Sequence, residues 1–219
     1  SYDSGDKPIT RYELEQNCVP TLTMDDNYLN QLHENIGFGQ IPLYAGIDWS
    51  GGSEVSKTVF CIGGYIRDSR SHKPYFTIFY IKRFDGTESD PRYQLEFIKK
   101  MIYKWNIKII GADYGGGLWP NTELKKEFGM TKVMTYQYAN PKKKATFQGA
   151  LGRWVVHRSE VMSDIFTALK SGAFFRFPRK EEFMETYGKD ILNISSEVNQ
   201  KGMLVYNRNL AQTDDAFHS

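Results

Sequence analysis

Cysteine is scarce in this chain, and long apolar runs are absent. Two cysteines, Cys18 and Cys61, stand in 219 residues. They cannot form a disulfide framework, and a reducing compartment is the simpler reading. No run of about 18 apolar residues occurs, which excludes a membrane-spanning helix by sequence. Charge of one sign is also missing. The 28 basic and 26 acidic residues leave +2, so an anionic partner must be met by a local patch. No Cys/His cluster has zinc-ligand spacing, and no Gly-x-Ser-x-Gly elbow supports a serine hydrolase. The start, Ser1-Tyr2-Asp3-Ser4-Gly5-Asp6, is not a signal peptide and lacks an initiator Met; it reads as a piece of a longer protein. What is present is 40% hydrophobic and 15% aromatic residues. That suits one globular domain, which at this size buries roughly 70% of its chain surface.

Residues 1–42 are polar and broken by Pro8, Pro20 and Pro42. They predict an arm or linker with short helical pieces such as Thr10 to Asn17. Leu43 to Ile47, Lys57 to Ile66 and Tyr75 to Phe84 read as three successive strands, an antiparallel meander. Asp90-Pro91 is a helix start, followed by an apolar stripe of Tyr93, Phe97, Met101 and Trp105 with Ile98 and Ile102 beside it. Then come a strand (Ile107 to Ala112), a helix near Thr122 to Phe128 and a strand (Lys132 to Tyr138). That order favours parallel pairing in the same sheet. Residues 139–157 read as a long basic loop. Ser159 to Lys170 reads as a helix stopped by Gly172, Ala173 to Phe177 as a short extended piece, 189–207 as a hairpin turning near Lys201-Gly202, and Thr213 as the start of a last helix.

Two segments echo one another. Gly46-Ile47-Asp48-Trp49-Ser50-Gly51-Gly52 and Gly111-Ala112-Asp113-Tyr114-Gly115-Gly116 share Gly-x-Asp-aromatic-x-Gly-Gly. A lone Asp after a strand is usually a turn former. Two at matching strand ends are harder to dismiss, because neighbouring strands lie about 4.8 Å apart and would bring the carboxylates together at the open end of a sheet. Close carboxylates repel unless one takes a proton or a cation sits between them. Oxygen ligands in a solvated cleft suit Mg²⁺ or Mn²⁺. A third acidic source is Thr213-Asp214-Asp215, where Thr213 alternatively caps a helix and the acids favour its positive end.

On these residues the chain resembles the ribonuclease-H-like nucleases, and more narrowly the nuclease domain of the large terminase subunit of tailed bacteriophages. The resemblance is carried by Gly46 to Trp49, Ile110 to Gly116, Arg158-Ser159-Glu160 before an amphipathic helix, Lys170-Ser171-Gly172 with Phe177-Pro178, and Thr213-Asp214-Asp215-Ala216-Phe217-His218. It implies an α/β fold over residues 43–219, with a mixed central sheet of antiparallel meander and parallel strands flanked by helices. Residues 1–42 would then be the arm from an ATPase domain. It further implies an endonuclease cutting concatemeric viral DNA during packaging, in the cytoplasm of the infected bacterial host. Portal and small terminase subunit would be partners beside double-stranded DNA. Metal ligation and catalysis would fall to Asp48, Asp113, Asp214 and Asp215, with His218 as an outer-shell partner. Phosphodiester hydrolysis needs charge neutralisation and a hydroxide-like nucleophile, which two Mg²⁺ or Mn²⁺ ions about 4 Å apart supply. In that scheme Asp48 bridges both ions, Asp113 binds one, and Asp214 or Asp215 completes the other. The family's final helix normally runs on beyond the point where this chain stops.

Between Pro141 and Arg158 stand Lys142, Lys143, Lys144, Arg153 and Arg158, with no acid and with Phe147 and Trp154 interleaved. The pattern is either a solvated surface or a sequence-independent grip on DNA phosphates. Gly51 to Thr58 nearly matches a P-loop, but Ser56 replaces the second Gly and a strand follows, which argues against an ATP site. Other readings are a junction resolvase or transposase-like nuclease of the same fold, an actin- or sugar-kinase-like nucleotide-binding domain, and a silent docking module.

Overall fold

Alternating β-branched and aromatic residues build one eight-stranded sheet in the computed structural model, which describes residues 6–24, 41–52, 55–208 and 212–219. The meander is β1 (Leu43–Asp48), β2 (Val59–Arg67) and β3 (Pro74–Arg83), paired antiparallel in order. Helix α2 (Pro91–Lys104) follows the short N-terminal α1 (Arg11–Glu15) in the helix order. The Asp90 side chain caps the Arg92 amide, and Pro91 opens the first turn of α2. Strand β4 (Ile109–Asp113) then pairs parallel with β1. Helix α3 (Leu118–Phe128) ends at Gly129, whose φ of 88° needs a residue without a Cβ. It leads to β5 (Val133–Ala139), parallel to β4. The sequence-predicted helix–strand alternation is therefore present, in the mixed sheet expected of it.

The stretch 139–157 is not a loop. It forms a hairpin, β6 (Ala145–Gln148) and β7 (Arg153–His157), and β7 joins the sheet parallel to β5. The β6 side chains are all exposed, so no buried face marks the strand in the sequence. Next come α4 (Arg158–Ser171), stopped by Gly172 at φ 64°, and β8 (Phe175–Arg176), parallel to β3. Short helices α5 (Lys180–Phe183) and α6 (Lys189–Leu192) flank a π-helical turn; residues 189–192, expected as the start of a hairpin, are instead helical, with Asp190 and Ile191 buried. A hairpin of β9 (Ile194–Val198) and β10 (Leu204–Arg208) precedes the final helix α7 (Asp215–His218).

Alternation assigns the two sheet faces. Leu43, Ala45, Ile47, Ile110, Ala112 and Val133 pack under α2 and α3. Of the expected α2 stripe, Met101 and Trp105 are buried together with Ile98 and Ile102, and Leu95 joins them, while Tyr93 is 45% exposed. On the other face, Val59, Ile78 and Ile81 meet Met162, Phe166 and Leu169 of α4 and the α5–α6 region. Residues 6–24, expected as part of an arm, pack on the sheet: Leu22 joins the core under α2 and α3, and the preceding residues lie on this second layer. Ile9 and Leu14 lie within its core, Asp6 bridges Ser196, and the Val19 amide donates to Phe177 O. Of the rest of the expected arm, residues 1–5 and 25–40 lie outside the described residues. Among the described residues no helix is long and apolar enough to cross a membrane.

Candidate metal centre

The alternation that buries Ile47 and Ala112 under α2 and α3 sends Asp48 and Asp113 to the opposite face. Ile47 pairs with Ala112 in parallel register, so the two aspartates are side-by-side residues at adjacent strand ends. The repeated glycine motif explains how these ends close. A Cβ on Gly116 would fall 2.6 Å from Trp49 O, and one on Gly117 would fall 2.1 Å from Trp49 Cδ1. The two loops after the aspartates interlock through backbone contact that other residues would block. Asn121 of α3 completes the bracket. Its Oδ1 accepts from the Trp49 indole N–H (2.9 Å), and its Nδ2 donates to Asp113 O (2.8 Å). Asn121 is buried, and no sequence signal marks it.

The third source arrives with α7, where Asp214 and Asp215 are both buried. They face different partners. Asp215 Oδ2 accepts from the Lys57 amide (2.7 Å) and from Thr213 Oγ1 (2.5 Å). Asp214 pairs with Arg208 Nε (3.1 Å) and with His218 Nε2 (3.1 Å). Burial raises the Asp214 pKa, but the His218 hydrogen bond and the charges of His218, Arg208 and Arg158 outweigh it and leave the group more acidic than usual. Asp48 behaves oppositely. Burial first, then the charges of Asp215, Asp113 and Asp214, push its carboxyl well above the ordinary range, with Arg208 opposing. All four sequence-predicted carboxylates therefore share one electrostatic field. His218 is tied to Asp214, and its Nδ1 lies 3.3 Å from the Tyr138 hydroxyl.

The donor set fits a hard divalent cation: carboxylate oxygens, concentrated negative charge and one carboxyl that resists ionisation. Among the described residues, no three acidic, His or Cys side chains converge tightly enough to enclose an ion as they stand. Asp113 Oδ2 is held by the Gly116 amide (3.0 Å) and Asp215 Oδ2 by Lys57 N, so each carboxylate is turned toward a donor of its own surroundings. Each keeps further lone pairs, since an ionised carboxylate has about four. The apolar cavity of about 570 Å³ between the sheet and α4 has none of these carboxylates in its lining.

The basic residues separate. Lys142 and Lys143 are exposed, and Lys144 is ion-paired with Asp164 of α4. Arg153 pairs in register with Thr135, on the α3 face, and stacks 4.5 Å over the Tyr114 ring. Arg158 lies 5.2 Å over the Tyr138 ring on the carboxylate side, where its charge reaches Asp214. The P-loop-like segment has no helix behind it: β2 begins at Val59, and Thr58 Oγ1 accepts from the Ser50 amide.

A mixed sheet carrying acids on neighbouring parallel strand ends and on a following helix is ribonuclease-H-like in architecture. Among solved structures the chain is similar to the large terminase nuclease from thermophilic phage G20c, at 16% identity and TM-score 0.54 over 82% of this chain and 78% of that one. The same nuclease with bound magnesium aligns at 16% identity and TM-score 0.54 over 83% and 79%. The Thermus phage P74-26 large terminase nuclease domain aligns at 14% identity and TM-score 0.53 over 82% and 76%. No protein-family model and no curated protein matches the chain. At these identities the likeness is one of fold.

Proposed function

We propose that this chain is a divalent-metal-dependent endodeoxyribonuclease that cuts viral DNA during genome packaging. The observation that carries the reading is the pairing of Asp48 and Asp113 at adjacent parallel strand ends, with Asp215 of α7 charged against Asp48. The fold similarity to large terminase nucleases supports it, as do the magnesium-bound and cobalt-bound forms of the G20c nuclease. In the infected bacterial cell such a domain works with a packaging ATPase, a portal and a small terminase subunit, and those partners belong to the same proposal.

Asp48, Asp113 and Asp215 would hold Mg²⁺ or Mn²⁺. Two such ions supply charge neutralisation at the phosphoryl oxygens and a water acidic enough to attack near neutral pH. Asp48 is central because the other three carboxylates all act on it. Asp214 has a different task. Ion-paired with Arg208 and hydrogen-bonded to His218, it fixes α7 and the end of β10 rather than offering a free carboxylate. Arg158, aligned on Tyr138, presents a cation beside the acids for the DNA backbone, and Lys142 and Lys143 extend that contact outward. Backbone contacts of this kind are largely sequence-independent, which suits an enzyme that must cut many sequences.

The test is cleavage of a supercoiled plasmid in Mn²⁺ by wild type, Asp48→Ala and Asp113→Asn. Loss of cutting in both variants, with folded protein, supports the assignment. Wild-type-like cutting by either pure variant refutes it. A strong preference for four-way junctions over linear duplex would move the chain to the resolvases of the same fold.

A further inference from the structure

The final helix is only four residues long, and the amides of its first turn have no partners within the helix. Its N-cap residue, Asp214, makes no side-chain cap and is engaged with Arg208 and His218 instead. Thr213 Oγ1 accepts the Asp215 amide at 3.2 Å, and the next amide is capped from another element. Asp190 of α6, 1% exposed, accepts the Ala216 amide on Oδ2 at 2.8 Å. The same oxygen takes Arg83 Nη2 at 2.6 Å. Arg83 is fixed in turn, by Nη1 to Thr186 O (2.9 Å) and by stacking 5.4 Å over the Tyr187 ring. From the next turn, Asn193 Nδ2 donates to Thr213 O at 3.0 Å. The two residues flanking the acidic pair, Thr213 and Ala216, are thus both tied to one segment, and that segment is anchored to β3.

We propose that the segment Lys189–Asn193, through Asp190 and Asn193, positions the third carboxylate: it sets where Asp215 stands against Asp48. This rests on the metal-nuclease reading. Asp190 and Asn193 touch neither substrate nor ion; they act through the backbone of Thr213 and Ala216. A buried carboxylate without partners is costly, and here both its partners belong to this tether.

The experiment uses Asp190→Asn and Asn193→Ala in the full chain, with Asp48→Ala in parallel. Mn²⁺ binding is read by electron paramagnetic resonance of the free ion, and cleavage by separate kcat and KM for duplex DNA. The expected result is an increase of about 10-fold in Mn²⁺ half-saturation and a similar fall in kcat, with KM for DNA unchanged, as for other outer partners of metal ligands. Asp190→Ala should exceed Asp190→Asn, whose amide oxygen can still accept from Ala216. Lowered thermal stability with Mn²⁺ half-saturation and kcat within about twofold of wild type in the folded variants overturns the inference and leaves a merely structural role. Should one variant fail to fold, the other carries the same readout from the other end of the tether. If Asp48→Ala still cleaves, the nuclease reading itself falls. If Asp48→Ala is silent while the tether variants match wild type, only the positioning inference falls.

Discussion

Asp48→Asn should make the metal-free protein more stable. In the folded chain the Asp48 carboxyl is pushed up by burial and by Asp215, Asp113 and Asp214, so its ionisation at neutral pH works against folding. Neighbouring strands stand about 4.8 Å apart. At about 5 Å and an effective dielectric near 20, one carboxylate pair repels by about 3 kcal/mol. Arg208 offsets part of this, and the Gly116 and Lys57 amides steady Asp113 and Asp215, so a net relief of about 1–3 kcal/mol is expected. For a domain of this size, about 2 kcal/mol is a rise of about 4–8 °C in Tm, measured by scanning calorimetry at about pH 7 in EDTA. The pH dependence has a definite sign. A carboxyl with a raised folded pKa binds its proton more tightly folded than unfolded. The penalty is absent below the unfolded value of about 3.9, grows above it, and is complete once the pH exceeds the folded value. The advantage of Asn should therefore shrink as the pH falls toward about 4. Mn²⁺ should reverse the order, because at about a hundred times its Kd it adds about 2.7 kcal/mol to wild type and little to the variant. A lower Tm for Asp48→Asn at neutral pH in EDTA, or equal Mn²⁺ stabilisation of both proteins, would refute this reasoning.

Gly117→Ala places a methyl 2.1 Å from Trp49 Cδ1 and should cost about 1–3 kcal/mol while slowing cleavage, read by Tm and initial rate. Asn121→Leu leaves the buried Trp49 indole N–H unpaired, which should destabilise by about 1–3 kcal/mol in urea titration. Lys142→Glu with Lys143→Glu should weaken duplex binding and reduce the slope of log K against log salt by about 0.9 for each phosphate that is no longer neutralised. Fluorescence anisotropy across a salt series measures that slope, and an unchanged value would place the grip elsewhere.

The strand-end aspartates are legible because the chemistry repeats in sequence: an apolar run, an Asp, an aromatic and two glycines, twice. Period-two burial in β1 and β4 then dictates which face the acids share. The division of labour within Asp214-Asp215 is not legible, because it is set by Arg208, His218 and the Lys57 amide, which converge only through the fold. Asn121, Asp190 and Arg83 escape for the same reason. Each acts on a residue distant in sequence or through the backbone, and neither route leaves a spacing. The hairpin at 145–157 reads as a loop because its outer strand buries nothing and its turn is rich in glycine. Arg153, grouped by sequence with the other cations, stands on the opposite sheet face, a consequence of strand parity that emerges only once β7 is recognised.

The most direct measurement is an anomalous-difference map from crystals soaked in Mn²⁺ with a short DNA duplex. Density bounded by the carboxylate oxygens of Asp48, Asp113 and Asp215, with Asp214 still paired to Arg208, is the predicted result. Mn²⁺ bound at other positions, with those three side chains apart and still turned to the Gly116 and Lys57 amides, would contradict it.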